Sequence, residues 1–364
     1  MGIPLFDTEA QLGEVRADVQ AAMERVLESG RFILGPEVEA FEQEFARYLG
    51  VGHVIGVANG TDALTISLKA LGVGPGDDVV VPSFTFYASA EAIPHTGARP
   101  VFCDVDPETF CVTPETVERA LTPDTRAVIA VDLFGRMAPV DHIRERLSGR
   151  DIVVVEDAAQ AAGARLRGRR AGSLGDAGTF SFFPSKNLFC LGDGGAIATD
   201  DPNVAEQARI LRFHGSRDKA SFEEIGWNSR LDALQAAALR VTLTRLDGWN
   251  ERRRELAAAY AEAGVGAVVS LPAPAGDEEP VHHLFVTRAE DPDGLAARLA
   301  AAGIGARSYY RVPVHLQPAM AGLATDGDLP GTELAARSNL ALPMGPTLGR
   351  AAATAVADAL RSAP

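Results

Sequence analysis

Short apolar runs at 53–57, 78–81, 100–103, 126–131 and 152–155 alternate with stretches of helical period. Alternation of that kind implies βαβ units and a mostly parallel sheet covered by helices on both faces. The run DIVVVEDAAQ (151–160) is the sharpest case. Ile152 to Val155 is continuously apolar, as in a parallel strand buried on both faces. Glu156, Asp157 and Gln160 follow at its carboxyl end, where open α/β sheets bind ligands.

A second stretch, AGTFSFFPSKNLFCLGDGG (177–195), reads as a strand over Ala177–Phe183 that turns at Pro184 and presents Ser185 and Lys186. Phe180 and Phe182 fall on one face; Thr179, Ser181 and Phe183 fall on the other. Most lysines are solvated, but this one stands between phenylalanines, a proline turn and the glycines at 192, 194 and 195. An amine so placed has a lowered pKa and serves as a nucleophile or Schiff-base former. Asp157 taken alone also suits a helix N-cap. Taken with Lys186 it suits pyridoxal phosphate, which needs a lysine for its aldehyde and an acid for its pyridine nitrogen.

Around these stretches lie NGTDAL (59–64), PSFTF (82–86), EDAAQ (156–160), FSFFPSKNL (180–188), GDGGAI (192–197) and NSRLDALQAA (228–237). In that order, between ILGPEVEAFEQEFA (33–46) and ALPMGP (341–346), they resemble the DegT/DnrJ/EryC1/StrS sugar aminotransferases of PLP fold type I. The resemblance implies a large domain over 1–245 with a mostly parallel seven-stranded sheet, and a smaller C-terminal α/β domain over 246–364. It implies Lys186 and Asp157 as catalytic residues. Gly60, Thr61, Ser181 and Asn228 would hold the cofactor phosphate, Phe86 would stack on the ring, and Gln160 would sit near the ring hydroxyl. Arg31, Phe32, Lys219, Tyr310 and His315 are the candidates for substrate contact. A homodimer is implied, with Asn228 serving the neighbouring subunit's site. The implied reaction moves an amino group from an amino acid, glutamate by preference, to a nucleotide-linked keto-sugar, at C3 rather than C4. One branch of the family carries histidine in place of the lysine and dehydrates sugars; Lys186 points away from it. The chain departs from the family pattern at Cys190, His282 and Arg311 and lacks an aromatic after Lys219.

Charge and cysteine content narrow the alternatives. With 34 basic and 49 acidic residues the net charge is −15, which argues against nucleic acid as a partner. A regulatory role would need a DNA-binding segment, and no basic cluster is present. Cys103, Cys111 and Cys190 show neither metal-like spacing nor an even-numbered disulfide framework, which fits a reducing cytoplasm. The N-terminus lacks the basic and apolar regions of a signal peptide, and no apolar run reaches membrane-spanning length.

Further along, helices are expected over 9–29, from Pro36, at Pro114–Leu121, at Pro202–His214, and as one long element over Leu231–Ala263. The C-terminal part reads as strand 281–286, helix Pro292–Ala302, strand Gly305–Tyr309, and helices near 331–339 and 347–362. The Gly-, Ala- and Pro-rich interval 264–280 reads as an exposed loop.

Overall fold

The computed structural model describes residues 2–323 and 327–362. Seven strands form the central sheet: β1 (His53–Val57), β2 (Asp78–Pro82), β3 (Arg99–Cys103), β4 (Thr125–Val131), β5 (Val153–Asp157), β6 (Ala177–Ser181) and β7 (Gly195–Thr199). Their order is β1-β7-β6-β5-β4-β2-β3. The pairs from β6 through β3 are parallel, and β7 runs antiparallel to both β6 and β1. The chain is therefore α/β with a mostly parallel sheet, as the alternation implied, and with the seven strands that the resemblance implied.

Helices cover both faces of the sheet, so the strands have no polar side to present. On β1, Val54 faces one core with Phe41, Phe45 and Phe180. Ile55 and Val57 face the other with Ala63, Ile66, Ala208 and Leu211. Phe180 meets Phe45 edge-on at 4.9 Å and Phe182 meets Phe41 edge-on at 5.4 Å. These contacts lock the strand that carries the lysine turn. Ladder pairing stops at Ser181, two residues earlier than expected. The backbone then curls, with Lys186 N donating to Phe183 O at 2.8 Å.

The expected long helix is two helices, Ala233–Leu243 and Leu246–Glu262, parted at Thr244–Arg245. Thr242 and Thr244 turn their hydroxyls onto the Leu239 and Val241 carbonyls at 3.2 and 2.7 Å, a local competition that breaks the ladder. The N-terminal helix is likewise split into Thr8–Gly13 and Arg16–Ser29. Leu246 belongs to the main core, whereas Leu256, Ala259 and Tyr260 belong to a second core with Phe285, Leu299, Leu340 and Val356. Ile3 reaches this second region through a bridge to Ile304.

In the C-terminal part the expected strand over 305–309 makes only one bridge, Arg307 to Ala341. The strand Phe285–Arg288 pairs instead with Asn339–Leu342, a short apolar run hidden behind the helix Pro330–Ser338. Pairing starts at Phe285 rather than Val281 because His282 takes a left-handed φ of 43°. The 264–280 interval is structured: Val265 and Val269 are buried, and Glu278–Glu279 pairs with Arg165–Leu166. Among the described residues no helix is long and apolar enough to cross a membrane, and no cluster of His, Cys, Asp and Glu could hold a metal ion.

Candidate functional site

The carboxyl ends of β4, β5 and β6 and the start of helix Gly60–Ala70 converge on a cavity of about 500 Å³. Gly60, Thr61, Phe86, Asp157, Gln160, Ser181, Lys186 and Tyr310 all line it. These residues come from distant parts of the chain, and the sheet brings them together.

Lys186 is half-buried and opens onto the cavity. Burial of its amine pulls its pKa down to about 8, against the opposing pull of the Asp157 charge. Roughly a tenth of the amine is thus free base at pH 7, far more than an ordinary lysine would offer a carbonyl. Asp157 is 4% exposed. Its Oδ2 accepts from Ser89 Oγ at 2.7 Å and its Oδ1 from Ala159 N at 3.2 Å. Burial pushes its pKa up; these two donors and the Lys186 charge work the other way. A cationic ring nitrogen in the cavity would supply the counter-charge that Asp157 lacks. No helix begins at Asp157, so the residue is no helix cap; its Oδ2 reaches across to Ser89 instead.

At the helix start, Asn59 Oδ1 accepts from Asp62 N at 2.8 Å, and its carbonyl accepts from Ala63 N. The amides of Gly60 and Thr61 have no acceptor among the described residues. Two free N–H groups at the positive end of a helix form a seat for an anion. A Cβ at position 60 would stand 2.8 Å from Ser181 Cβ, so only glycine lets β6 come this close to the seat. Phe86 is 56% exposed at the cavity edge, a free aromatic face. Gln160 Oε1 accepts from Phe134 N at 2.8 Å while its Nε2 donates to Tyr310 Oη at 3.1 Å. Tyr310 also stacks on Phe134 at 5.9 Å, so Gln160 and Tyr310 are fixed as a unit.

Five of the expected residues lie off this cavity. Arg31, Phe32, Lys219 and Asn228 are exposed. Phe32 O accepts from Ala233 N, Asn228 bridges to Phe213, and Lys219 Nζ sits 4.8 Å above the Phe213 ring. His315 Nδ1 lies 2.5 Å from Ser83 Oγ, holding the 310–316 segment to the end of β2. Ser89, Arg253, His283 and Arg307 line the cavity without having been singled out from the sequence.

An aldehyde-reactive amine, a buried acid, a helix-end anion seat and a flat aromatic face together fit pyridoxal phosphate. Comparison with known proteins agrees. The DegT/DnrJ/EryC1/StrS aminotransferase family model matches residues 14–361. The chain is 50% identical over 361 residues to dTDP-3-amino-3,4,6-trideoxy-alpha-D-glucose transaminase of Streptomyces venezuelae, covering 99% of this chain and 95% of the relative. It is 44% identical over 352 residues to a pleiotropic regulatory protein of Geobacillus stearothermophilus, covering 96% and 95%. Among solved structures, S. venezuelae DesV in complex with a ketimine intermediate superimposes with a TM-score of 0.95 at 50% identity, covering 99% of this chain and 98% of that one.

Proposed function

The chain belongs to the DegT/DnrJ/EryC1/StrS aminotransferase family, and from that premise we propose that it transfers an amino group from L-glutamate to the C3 ketone of a dTDP-linked keto-sugar. It is a pyridoxal phosphate-dependent aminotransferase. The juxtaposition of Lys186 and Asp157 in one cavity beside the Gly60–Thr61 amides carries this reading. The choice of C3 and of a dTDP sugar follows the transaminase of S. venezuelae, whose name states both.

When bound, pyridoxal phosphate supplies an aldehyde that takes up the amino group and a ring that accepts electrons. Lys186 would hold the cofactor by its aldehyde, and its amine is placed to move a proton at the donor's amine-bearing carbon as general acid and base. Its lowered pKa lets one amine serve in both directions near neutral pH. Asp157, oriented by Ser89, would hold a proton on the ring nitrogen. Gly60, Thr61 and Ser181 would seat the phosphate, Phe86 would pack against the ring, and Gln160 would be held near it by Tyr310.

Arg31, Phe32, Lys219 and Asn228 complete the site across a homodimer in this reading. Supporting it, residues 31–33 run beside 228–233 through the Ile33–Asp232 bridge. Phe32 and Ile33 in the first segment are exposed, as are Phe222 and Ile225 shortly before the second, Ile225 at 91% exposure. Exposed apolar side chains of that kind suit a two-fold interface. His315 then acts through Ser83, not on substrate. The three cysteines are free and buried, which suits a reducing cytoplasm.

The test supplies the cofactor-loaded protein with glutamate and a panel of dTDP- and UDP-linked 3- and 4-keto-sugars, reading amino-sugar by mass. Borohydride reduction followed by peptide mapping should place the cofactor on Lys186. A regulatory role without turnover, which the name of the G. stearothermophilus relative suggests, requires cofactor binding with no transfer to any sugar.

A further inference from the structure

Among the described residues two arginines are buried, Arg212 and Arg253, and only the first has an acid partner, as the partly buried Arg136 and Arg170 do. Arg212 meets Glu42 at 2.5 Å, Arg136 meets Glu278 at 3.1 Å and Arg170 meets Asp247 at 2.9 Å. Arg253, on the helix Leu246–Glu262, is 3% exposed and lines the cofactor cavity, yet no carboxylate pairs with it among the described residues. Its Nε is buried without any hydrogen-bond partner, and Nη1 donates only to the His282 carbonyl at 3.3 Å. A buried, unpaired charge is among the least favourable arrangements a protein can keep. Burial alone draws the guanidinium pKa down to about 10, with no anion pulling the other way. The position lacks a counter-ion, and it opens onto a cavity.

His283 lines the same cavity, and the charges of Arg253 and Lys186 both bear on its ring. Asn187 Nδ2 donates to Asn250 Oδ1 at 2.8 Å and Val281 O at 3.0 Å, so Asn187 Oδ1 is left as the acceptor facing His283 Nδ1 at 3.2 Å. His283 therefore carries its proton on Nδ1 and stays neutral, pushed there by burial. The cavity thus holds a neutral ring and two cationic side chains, and no carboxylate among the described residues pairs with Arg253. A further arginine, Arg307, is exposed at the cavity mouth and stacks on Tyr309 at 4.3 Å.

We propose that Arg253 is the seat for a carboxylate of the amino acid donor. The proposal rests on the aminotransferase reading and adds the group that recognises its donor. Two substrates bring anions to this cavity, and their chemistry places them differently. The donor's carboxylate is borne on the carbon whose amine is transferred, so it must lie close to Lys186. A nucleotide's diphosphate is separated from the reacting carbon by the sugar ring and lies toward the mouth, on the side of Arg307. The enclosed guanidinium of Arg253 matches the first. Binding of the carboxylate forms the ion pair that the empty cavity lacks, in a low-dielectric place where a charge-assisted, bidentate contact is strongest.

The test uses cofactor-loaded wild type, Arg253→Gln and Arg253→Lys. Calorimetry gives Kd for glutarate, an unreactive dicarboxylate, and for dTDP; steady-state kinetics gives KM for glutamate and for the keto-sugar. The expected result for Arg253→Gln is a loss of glutarate affinity of about 10- to 100-fold with dTDP affinity unchanged, since one charge-assisted contact is removed. KM for glutamate should rise in proportion, and Arg253→Lys should recover part of both. Melting temperatures without ligand should not fall in Arg253→Gln, because an unpaired buried charge has been removed. Weakened dTDP with intact glutarate, no glutarate binding by wild type, or failure of both variants to fold would each overturn the proposal. A wild type that binds glutarate but transfers no amino group leaves the donor seat standing and defeats the proposed function instead.

Discussion

Replacing Asp157 with asparagine separates the chemistry of the site from its folding. The change is nearly isosteric. Ala159 N keeps a carbonyl oxygen to donate to, and Ser89 Oγ, now 2.7 Å from Oδ2, can rotate its hydrogen and accept from the new amide. No buried group is orphaned, and a carboxylate at 4% exposure loses its desolvation cost. The ligand-free variant should therefore melt at or above the wild-type temperature and still bind pyridoxal phosphate. What it loses is the negative charge opposite the ring nitrogen. A charge-assisted hydrogen bond is worth about 1.5–3 kcal/mol, which is about 10- to 150-fold in rate if the pyridinium charge matters only in the transition state. Single-turnover reaction of the loaded protein with glutamate, followed by absorbance, measures this step without the sugar. A rate within about threefold of wild type, with cofactor fully bound, would remove Asp157 from the mechanism, because no charge-assisted contact is so weak.

The Lys186 amine, with its pKa drawn down to about 8, is mostly protonated below that value and mostly free above it. The rate of cofactor capture should climb with pH about a midpoint near 8; a midpoint near the ordinary lysine value would refute the burial argument. By the same linkage, a lysine whose folded pKa is depressed loses stability as pH falls through about 8, so Lys186→Met should gain stability over wild type at pH 6 to 7 in thermal melts of the ligand-free protein. Gly60→Ala puts a methyl 2.8 Å from Ser181 Cβ and must push the helix start away from β6; cofactor affinity should fall at least about tenfold, judged by dialysis, while far-ultraviolet circular dichroism stays unchanged. Mixing inactive Lys186→Ala with inactive Asn228→Asp should restore activity after subunit exchange, since one site of each mixed dimer then carries neither lesion. A mixture that stays inactive while mixed dimers form places Asn228 in its own chain's site.

How much of this was readable from residue order depends on whether a residue's role is set locally. The sheet was legible because strands buried on both faces must be apolar: Val154, Val155 and Ala127 to Ala130 are at most 1% exposed, and nothing polar interrupts them. Lys186 was legible because the phenylalanines and Pro184 that create its surroundings are its neighbours in sequence. The Asn339–Leu342 strand was not, since its pairing with Phe285–Arg288 is decided by a partner 50 residues away and by the positive φ of His282. The exposed Arg31, Phe32, Lys219 and Asn228 could not be assigned to a cavity from one chain's order, because a single chain does not bring them there.

Arg253 is the instructive failure. It is the middle of three consecutive arginines, and such a run reads as a solvated face. Its neighbours do behave that way: Arg252 pairs with Glu14 and Arg254 with Glu251. The signal that distinguishes them is periodic, not compositional. Trp249, Arg253, Leu256 and Tyr260 recur at helical spacing, and all four are buried. An arginine seated on an otherwise apolar stripe has two ways to be tolerated: an acid facing it from another element, or a ligand. No acid faces it here among the described residues, which leaves the ligand. A charge placed where the pattern calls for a hydrophobe marks function by the conflict itself, since folding alone would have removed it.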